Sequence, residues 1–233
     1  MTYAISDIHG CYDKYLEMLQ TINFSSEDTL YILGDMIDRG PDGFKIMLDV
    51  ASRPNVVGLM GNHEAMALKA LSGMIQAAER GEDIPLYEDE AKAVELWFYN
   101  GGEISLTDFL WLNDEERSTV WEFMNNMPLY REVSAGGNDF VLVHGGLGGF
   151  DEARPLDDYK AKEILWYRPQ ADTDYYPDKY TVFGHTPVQH FGTWNTEAKI
   201  YRNGTMIDID CGCVFPNGRL GCLCLDTMEE FYV

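Results

Sequence analysis

The stretch that decides the fold is Thr29-Leu30-Tyr31-Ile32-Leu33-Gly34-Asp35-Met36-Ile37-Asp38-Arg39-Gly40. Thr29 to Leu33 is a short, continuous apolar run, the pattern of a strand covered on both faces. Gly34 ends it, and the next six residues bring two carboxylates, one guanidinium and a second glycine. A buried strand that opens directly into a polar, glycine-flanked loop is the local form of a ligand site at the carboxyl end of a sheet strand.

The same arrangement lies on either side. Upstream, Tyr3 to Ser6 reads as a strand followed by Asp7-Ile8-His9-Gly10, and Cys11 to Thr21 as a helix with Tyr15, Met18, Leu19 and Ile22 on one face. Downstream, the turn Gly40-Pro41-Asp42-Gly43 leads to a helix over Phe44 to Ala51. Val56 to Met60 is a third strand, ending at Gly61-Asn62-His63-Glu64, and a helix over Glu64 to Arg80 follows. Strand, polar motif, helix thus occurs three times, the βαβ rhythm that predicts an α/β fold with a parallel or mixed sheet.

The segment from Ile84 to Tyr130 changes character. It is acidic, helical in pattern and rich in aromatics (Trp97, Phe98, Tyr99, Phe109, Trp111, Trp121, Phe123). It reads as a helical insertion beside the sheet that shapes a substrate groove, with plain helix packing the simplest role for each single aromatic. Strands return at Asp139 to Val143, ending at His144-Gly145-Gly146, and at Tyr180 to Phe183, ending at Gly184-His185-Thr186. From Ala198 onward β-hairpins are expected, with Asn203-Gly204 and Asn217-Gly218 as their turns. With no repeat or linker in view, residues 1–233 are expected to form one domain.

Composition narrows the function. Seventeen basic against 39 acidic residues give a net charge of −22, which opposes binding to nucleic acids and anionic membranes. No apolar run is long enough to span a bilayer. The first ten residues lack a basic segment followed by an apolar stretch, and the five cysteines have no disulfide-framework spacing, so a cytoplasmic setting is expected. Cys211/Cys213 and Cys222/Cys224 form two C-x-C pairs; strand periodicity explains them better than a structural zinc, whose ligand spacing they lack. His190 stands outside any motif and reads as structural or exposed, and the acidic runs 88–90 and 114–116 as solvated helix ends.

Four of the five histidines fall inside the polar motifs, together with Asp, Asn and Gly. Imidazole, carboxylate and amide oxygen are the donors that hard and borderline divalent cations take, and no thiolate accompanies them. Five such motifs in one chain point to a polynuclear metal site built from loop ends.

With these motifs the chain resembles the calcineurin-like metallophosphoesterases, and within them the phosphoprotein phosphatases of bacterial and bacteriophage type. The resemblance runs from Asp7 through about Gly212. It implies mixed β-sheets packed as a sandwich and flanked by helices. It also implies that Asp7 and His9 bind a first metal, Asp35 bridges to a second, and Asn62, His144 and His185 complete the second. Two divalent ions are implied, Mn²⁺ first, with Fe or Zn²⁺ as alternatives. By the same resemblance His63, paired with Asp38, is the acid for the leaving group, and Arg39, Arg168 and Asn62 bind the substrate phosphate. A surface salt bridge is the competing reading of Arg168.

The implied activity is phosphomonoester hydrolysis by direct attack of a hydroxide shared between the metals. A serine/threonine protein phosphatase is the leading expectation, acting on a phosphoprotein, a phosphopeptide or a small phosphoester. The alternative is a symmetrical diadenosine tetraphosphate hydrolase or a small-molecule or nucleotide phosphatase, and a non-catalytic metal-binding module ranks below both. Asp38, Glu64 and Thr186-Pro187 weigh toward the phosphatase, since the tetraphosphatase branch tends to differ at these places.

Overall fold

The computed structural model describes residues 1–81, 87–191 and 197–233. Ten strands and seven α-helices are formed among these residues. In chain order the first half holds β1 (Thr2–Ile5), α1 (Tyr12–Thr21), β2 (Thr29–Ile32), α2 (Gly43–Ala51), β3 (Val56–Gly58) and α3 (Asn62–Glu79). The insertion is three helices, α4 (Glu88–Tyr99), α5 (Glu103–Trp111) and α6 (Asp114–Asn125). Then come β4 (Tyr130–Ala135), β5 (Asn138–Val143), α7 (Ala161–Leu165), β6 (Tyr180–Phe183), β7 (Tyr201–Asn203), β8 (Met206–Asp208), β9 (Gly221–Cys224) and β10 (Glu230–Tyr232).

The strands form two five-stranded mixed sheets, ordered β10-β9-β1-β2-β3 and β4-β5-β6-β8-β7. β1, β2 and β3 are parallel in the first, and β5, β6 and β8 in the second. Side chains alternate across each strand. Tyr3, Ile5, Leu30 and Ile32 face the helices, where Tyr15 and Met18 of α1, Phe44 and Met47 of α2 and Met66 and Ala70 of α3 cover them. Ala4 and Leu33 face the other way and share a core with Phe140, Leu142, Val182 and Ile207 of the second sheet. The two sheets are therefore packed face to face, as the resemblance implied. The outer face of the second sheet is covered by Leu147, Ile164 and Leu165. No described helix is long and apolar enough to cross a membrane.

Several boundaries differ from the sequence expectation, for identifiable reasons. Helix α3 starts at Asn62 rather than Glu64, because the Glu64 carboxylate at its third position accepts the backbone N–H of Gly61 and closes the first turn. Asn62 and His63 thereby become rigid helical positions. β3 ends at Gly58, two residues early. β4 is a strand that the sequence reading left out; it is an edge strand with Arg131, Glu132 and Ser134 largely in solvent, which hides its period-two pattern. Asn203-Gly204 does turn a hairpin between β7 and β8. Asn217-Gly218 does not: β8 and β9 belong to different sheets, and residues 209–220 cross from one to the other. The hairpin that follows joins β9 to β10. Ile84, the expected start of the insertion, lies outside the described residues. The described helices of this segment pack beside the first sheet, with Trp97, Val120 and Met124 in that core.

Candidate metal centre

Every motif histidine and carboxylate follows a parallel strand, and the face-to-face packing brings their carboxyl ends to one rim. Loops from β1 and β2 run together there: the N–H groups of Asp7, His9 and Gly10 donate to the carbonyls of Gly34, Asp35 and Met36. The second sheet joins through His144, whose Nδ1 lies 2.8 Å or less from a main-chain oxygen, at 2.7 Å from Leu33 O. The bends are tight. Asp7, His9, Asp35, Asp38, Arg39 and His185 all adopt positive φ, between 47° and 70°. This is the left-handed region that L-residues with a side chain enter at a cost, and strain of this kind clusters at functional sites.

The donors converge. Asp35 sits in the middle and points its two oxygens at different partners. Its Oδ2 is 3.7 Å from His9 Nε2 and 3.8 Å from His63 Nε2, whereas its Oδ1 is 3.4 Å from His144 Nε2. Asp7 Oδ1 lies 3.9 Å from His9 Nε2. Asp7 Oδ2 accepts the hydroxyl of Ser6 and the backbone N–H of His185. Asn62 Oδ1 is 2.8 Å from His144 Nε2. His9, Asp35 and His63 form one group of donor atoms within 4.8 Å of one another, and Asp35, His144 and His185 form a second. All are buried.

Tautomers are set by the main chain. His9 Nδ1 is 2.8 Å from Ile37 O and His144 Nδ1 2.7 Å from Leu33 O, so each of these nitrogens carries the proton and each Nε2 presents a lone pair to the cluster. His185 Nε2 is buried without a hydrogen-bond partner. An orphaned, buried imidazole nitrogen beside a carboxylate with two facing oxygens fits divalent cations, and the O/N donor set without thiolate fits Mn²⁺, Fe or Zn²⁺. No cysteine joins such a group among the described residues, and all five cysteines are unpaired thiols. Cys211 and Cys213 lie in different cores, Cys211 between the sheets and Cys213 with Cys222 and Cys224 on the helix side, so the four form no zinc knuckle.

His63 and Asp38 meet as the sequence suggested: His63 Nδ1 is 2.6 Å from Asp38 Oδ2, and neither side chain has exposed surface. Burial works against charge on this pair. Burial pushes Asp38 up to about 7, and burial together with the Arg39 guanidinium holds His63 well below the usual imidazole range. Arg39 is bonded at Nη1 to His9 Nε2 (2.7 Å) and at Nη2 to His63 Nε2 (3.0 Å).

Arg168 reaches the same rim, donating to His185 O at 2.9 Å and to Thr186 Oγ1 at 3.0 Å. No salt bridge within 4 Å is formed by Arg168 among the described residues, and its charge acts at longer range on Asp208 and Asp210. Arg39, Arg168, His185, Phe191 and Phe215 line a cavity of about 560 Å³ that opens beside the cluster. His190 is exposed and also lines this cavity.

Three residues escaped the sequence reading. Glu64 does more than mark a branch: its Oε2 accepts the N–H of Asp35 and its Oε1 that of Met36, at 2.9 and 2.7 Å, so it fixes the central loop. Its signal was present, as a Glu at the third position of a helix after Gly. Trp97 and Ser105 bond to Asp38 from the insertion, and no local pattern announces that.

Comparison with known proteins agrees with the fold. Residues 2–209 match the family model of the calcineurin-like phosphoesterases. The chain is 30% identical over 172 residues to the symmetrical bis(5'-nucleosyl)-tetraphosphatase of Acidovorax ebreus (strain TPSY), covering 73% of this chain and 50% of that protein. It is 37% identical over 89 residues to the enzyme of the same name from Salmonella paratyphi B, covering 37% of this chain and 32% of that one. The chain thus spans about half or less of the length of these curated relatives. Among solved structures, one described as a candidate diadenosine tetraphosphatase superposes over 100% of this chain and 92% of its own, with a TM-score of 0.67 at 19% identity. A yeast serine/threonine phosphatase with similarity to human phosphatase PP5 superposes over 95% of this chain and 71% of its own, with a TM-score of 0.56 at 16% identity. With a family match over residues 2–209 and a cluster of metal-type donors formed within that range, this chain belongs to the calcineurin-like phosphoesterase family.

Proposed function

We propose that this chain, acting as a single unit over residues 1–233, hydrolyses phosphoanhydrides and phosphoesters at a two-cation centre, and that dinucleoside tetraphosphates are its principal substrates. The observation that carries the substrate is the cavity of about 560 Å³ beside the donor cluster, with Arg39 and Arg168 on its wall and the half-exposed ring of Phe215 at 5.6 Å from the Arg39 guanidinium. Its volume is in the range that takes a nucleotide-sized ligand. Two guanidiniums suit a polyphosphate, and an aromatic face suits a base. The names of the curated relatives point the same way.

Asp7, His9 and Asp35 would hold one cation, and Asp35, Asn62, His144 and His185 the other, with Mn²⁺ the first to try. Such a pair lowers the pKa of water and offsets phosphoryl charge in an in-line displacement. The chain's own residues do the rest. Arg39 and Arg168 orient the phosphate, assisted by the Asn62 amide. A phosphoryl group entering beside Arg39 competes with His63 for its guanidinium, which removes one cause of the low His63 pKa. With that bond released, His63 takes up a proton from solvent at Nε2 and donates it to the departing oxygen while Asp38 holds Nδ1. Five unpaired cysteines support a reducing, cytoplasmic setting.

A second reading, the serine/threonine phosphatase expected from sequence, rests on the same Asp38–His63 pair, because a serine or threonine alkoxide leaves poorly without an acid. Turnover of the metal-reconstituted chain on diadenosine tetraphosphate, phosphopeptides and para-nitrophenyl phosphate decides between them. The proposal expects the highest kcat/KM on diadenosine tetraphosphate, with two molecules of adenosine diphosphate as product. A higher kcat/KM on phosphopeptides overturns it in favour of the second reading.

A further inference from the structure

Asp38 is held by the helical insertion rather than by its own motif. The indole Nε1–H of Trp97, near the end of α4, donates to both carboxylate oxygens of Asp38, at 3.0 Å to Oδ1 and 2.9 Å to Oδ2. The backbone N–H of Asp38 donates to Ser105 Oγ on α5 at 2.8 Å. The loop between these helices accepts the N–H of Arg39 at Gly101 O, 3.2 Å away. Trp97, Asp38 and His63 have no exposed surface, and Ser105 has 2%. The indole is also boxed in: a Cβ on Gly102 would lie 2.4 Å from its ring. These contacts join residues 59 and 67 positions apart in sequence.

From this geometry we propose that Trp97 and Ser105 are positioning residues for leaving-group protonation, so that the insertion is part of the acid apparatus as well as a wall of the site. The inference rests on the metallohydrolase reading above. A buried carboxylate needs a partner for each oxygen. Asp38 Oδ2 is shared between His63 Nδ1 and the indole, the indole also reaches Oδ1, and the Ser105 side chain adds a further hydrogen bond to the carboxylate. With the indole present, the carboxylate cannot rotate about its own axis without losing a bond. That fixes the plane of the His63 ring and aims Nε2 at the departing oxygen. Without it, the carboxylate loses the donor that bridges its two oxygens and is free to turn toward those that remain, Ser105 and Arg39 among them.

The test compares leaving groups. A proton donor matters most when the departing oxygen is basic, and little when it leaves as a stable anion. Trp97→Phe keeps an aromatic ring and removes the donor; Ser105→Ala is the milder second variant, with little risk to folding. Both are reconstituted with Mn²⁺, their metal content is measured, and they are assayed on phenyl phosphate and on 2,4-dinitrophenyl phosphate. We expect kcat on phenyl phosphate to fall roughly 10- to 100-fold in Trp97→Phe and about 3- to 10-fold in Ser105→Ala, with KM and kcat on the dinitrophenyl ester changed less than about threefold. An equal loss on both esters, or a rise in KM alone, overturns the proposal. Independently of turnover, the indole N–H resonance that disappears in Trp97→Phe should lie downfield in the wild-type chain and move upfield in Asp38→Asn. An unmoved resonance overturns the hydrogen-bond premise. If the wild-type chain hydrolyses neither ester nor any nucleotide, the hydrolase reading fails and the resonance alone judges the contact.

Discussion

Asp35 shows how much chemistry one side chain can organise. One oxygen faces His9 and His63, the other faces His144, and its backbone N–H is held by Glu64. The residues beside it divide into those that would hold cations and those that would handle substrate, and the two classes fail differently. His63→Asn is expected to lower kcat on poor leaving groups by about 10²–10⁴-fold with metal content unchanged; atomic absorption alongside steady-state kinetics checks this, and loss of metal would move His63 into the ligand set. Arg168→Ala is expected to raise KM for diadenosine tetraphosphate by about tenfold, the worth of one charged hydrogen bond, with kcat nearly unchanged. Unaltered kinetics would return Arg168 to a purely structural bond with His185 O. The cluster residues were readable from sequence because each stands within a few positions of a glycine at a strand end. Trp97 and Ser105 were not, because what defines them is a partner in another element.

Among the elements, the start of α3 is the most constrained. Gly61 precedes it in extended conformation, and a Cβ there would lie 2.2 Å from Asp35 Oδ1 and 2.5 Å from Glu64 Oε2. Gly61→Ala must therefore displace either the central carboxylate or its brace. The expected result is a loss of stability of roughly 2–4 kcal/mol together with weaker cation binding, read by denaturant unfolding and by titration calorimetry with Mn²⁺. The helices and buried strands of this chain were plain in sequence because their apolar periods are long or uninterrupted. The edge strand β4 was not, since solvent on its outer side erases the contrast between faces, and the crossing segment 209–220 was not, since an Asn-Gly pair marks a turn without saying which strands it joins.

At the scale of the molecule, two sheets each contribute a rim of acidic and imidazole groups to one buried place, and this makes stability depend on pH and on cations. Burial pushes Asp38 and Glu64 up to about 7, and Asp208 and Asp210 well above the usual carboxylate range. A carboxyl raised in this way binds more protons folded than unfolded. Its stabilisation is complete below the unfolded value of about 4 and is lost as pH rises through the folded value. Histidines 9, 63, 144 and 185 are pushed down by burial, so their effect is the reverse: stability falls as pH drops below about 6.5. Above about pH 6.5 only the carboxyl effect remains, so the metal-free chain is expected to melt several degrees lower at pH 8 than at pH 6. Mn²⁺ at pH 8 should restore most of that loss, because it binds the folded chain alone. A calorimetric series in chelator and in Mn²⁺ checks both; a melting temperature that rises steadily to pH 8 without metal would show that the buried carboxyls do not carry raised pKa values.

The left-handed backbone at Asp7, His9, Asp35, Asp38, Arg39 and His185 has a consequence for descent. Aspartate and histidine are enriched in that region, so Arg39 alone among them is a residue type the conformation disfavours, and glycine or asparagine there would relieve about 1 kcal/mol. A lineage released from the need to hydrolyse its substrate would gain stability by exchanging it, so the guanidinium is the member of the site that selection must hold against its own backbone.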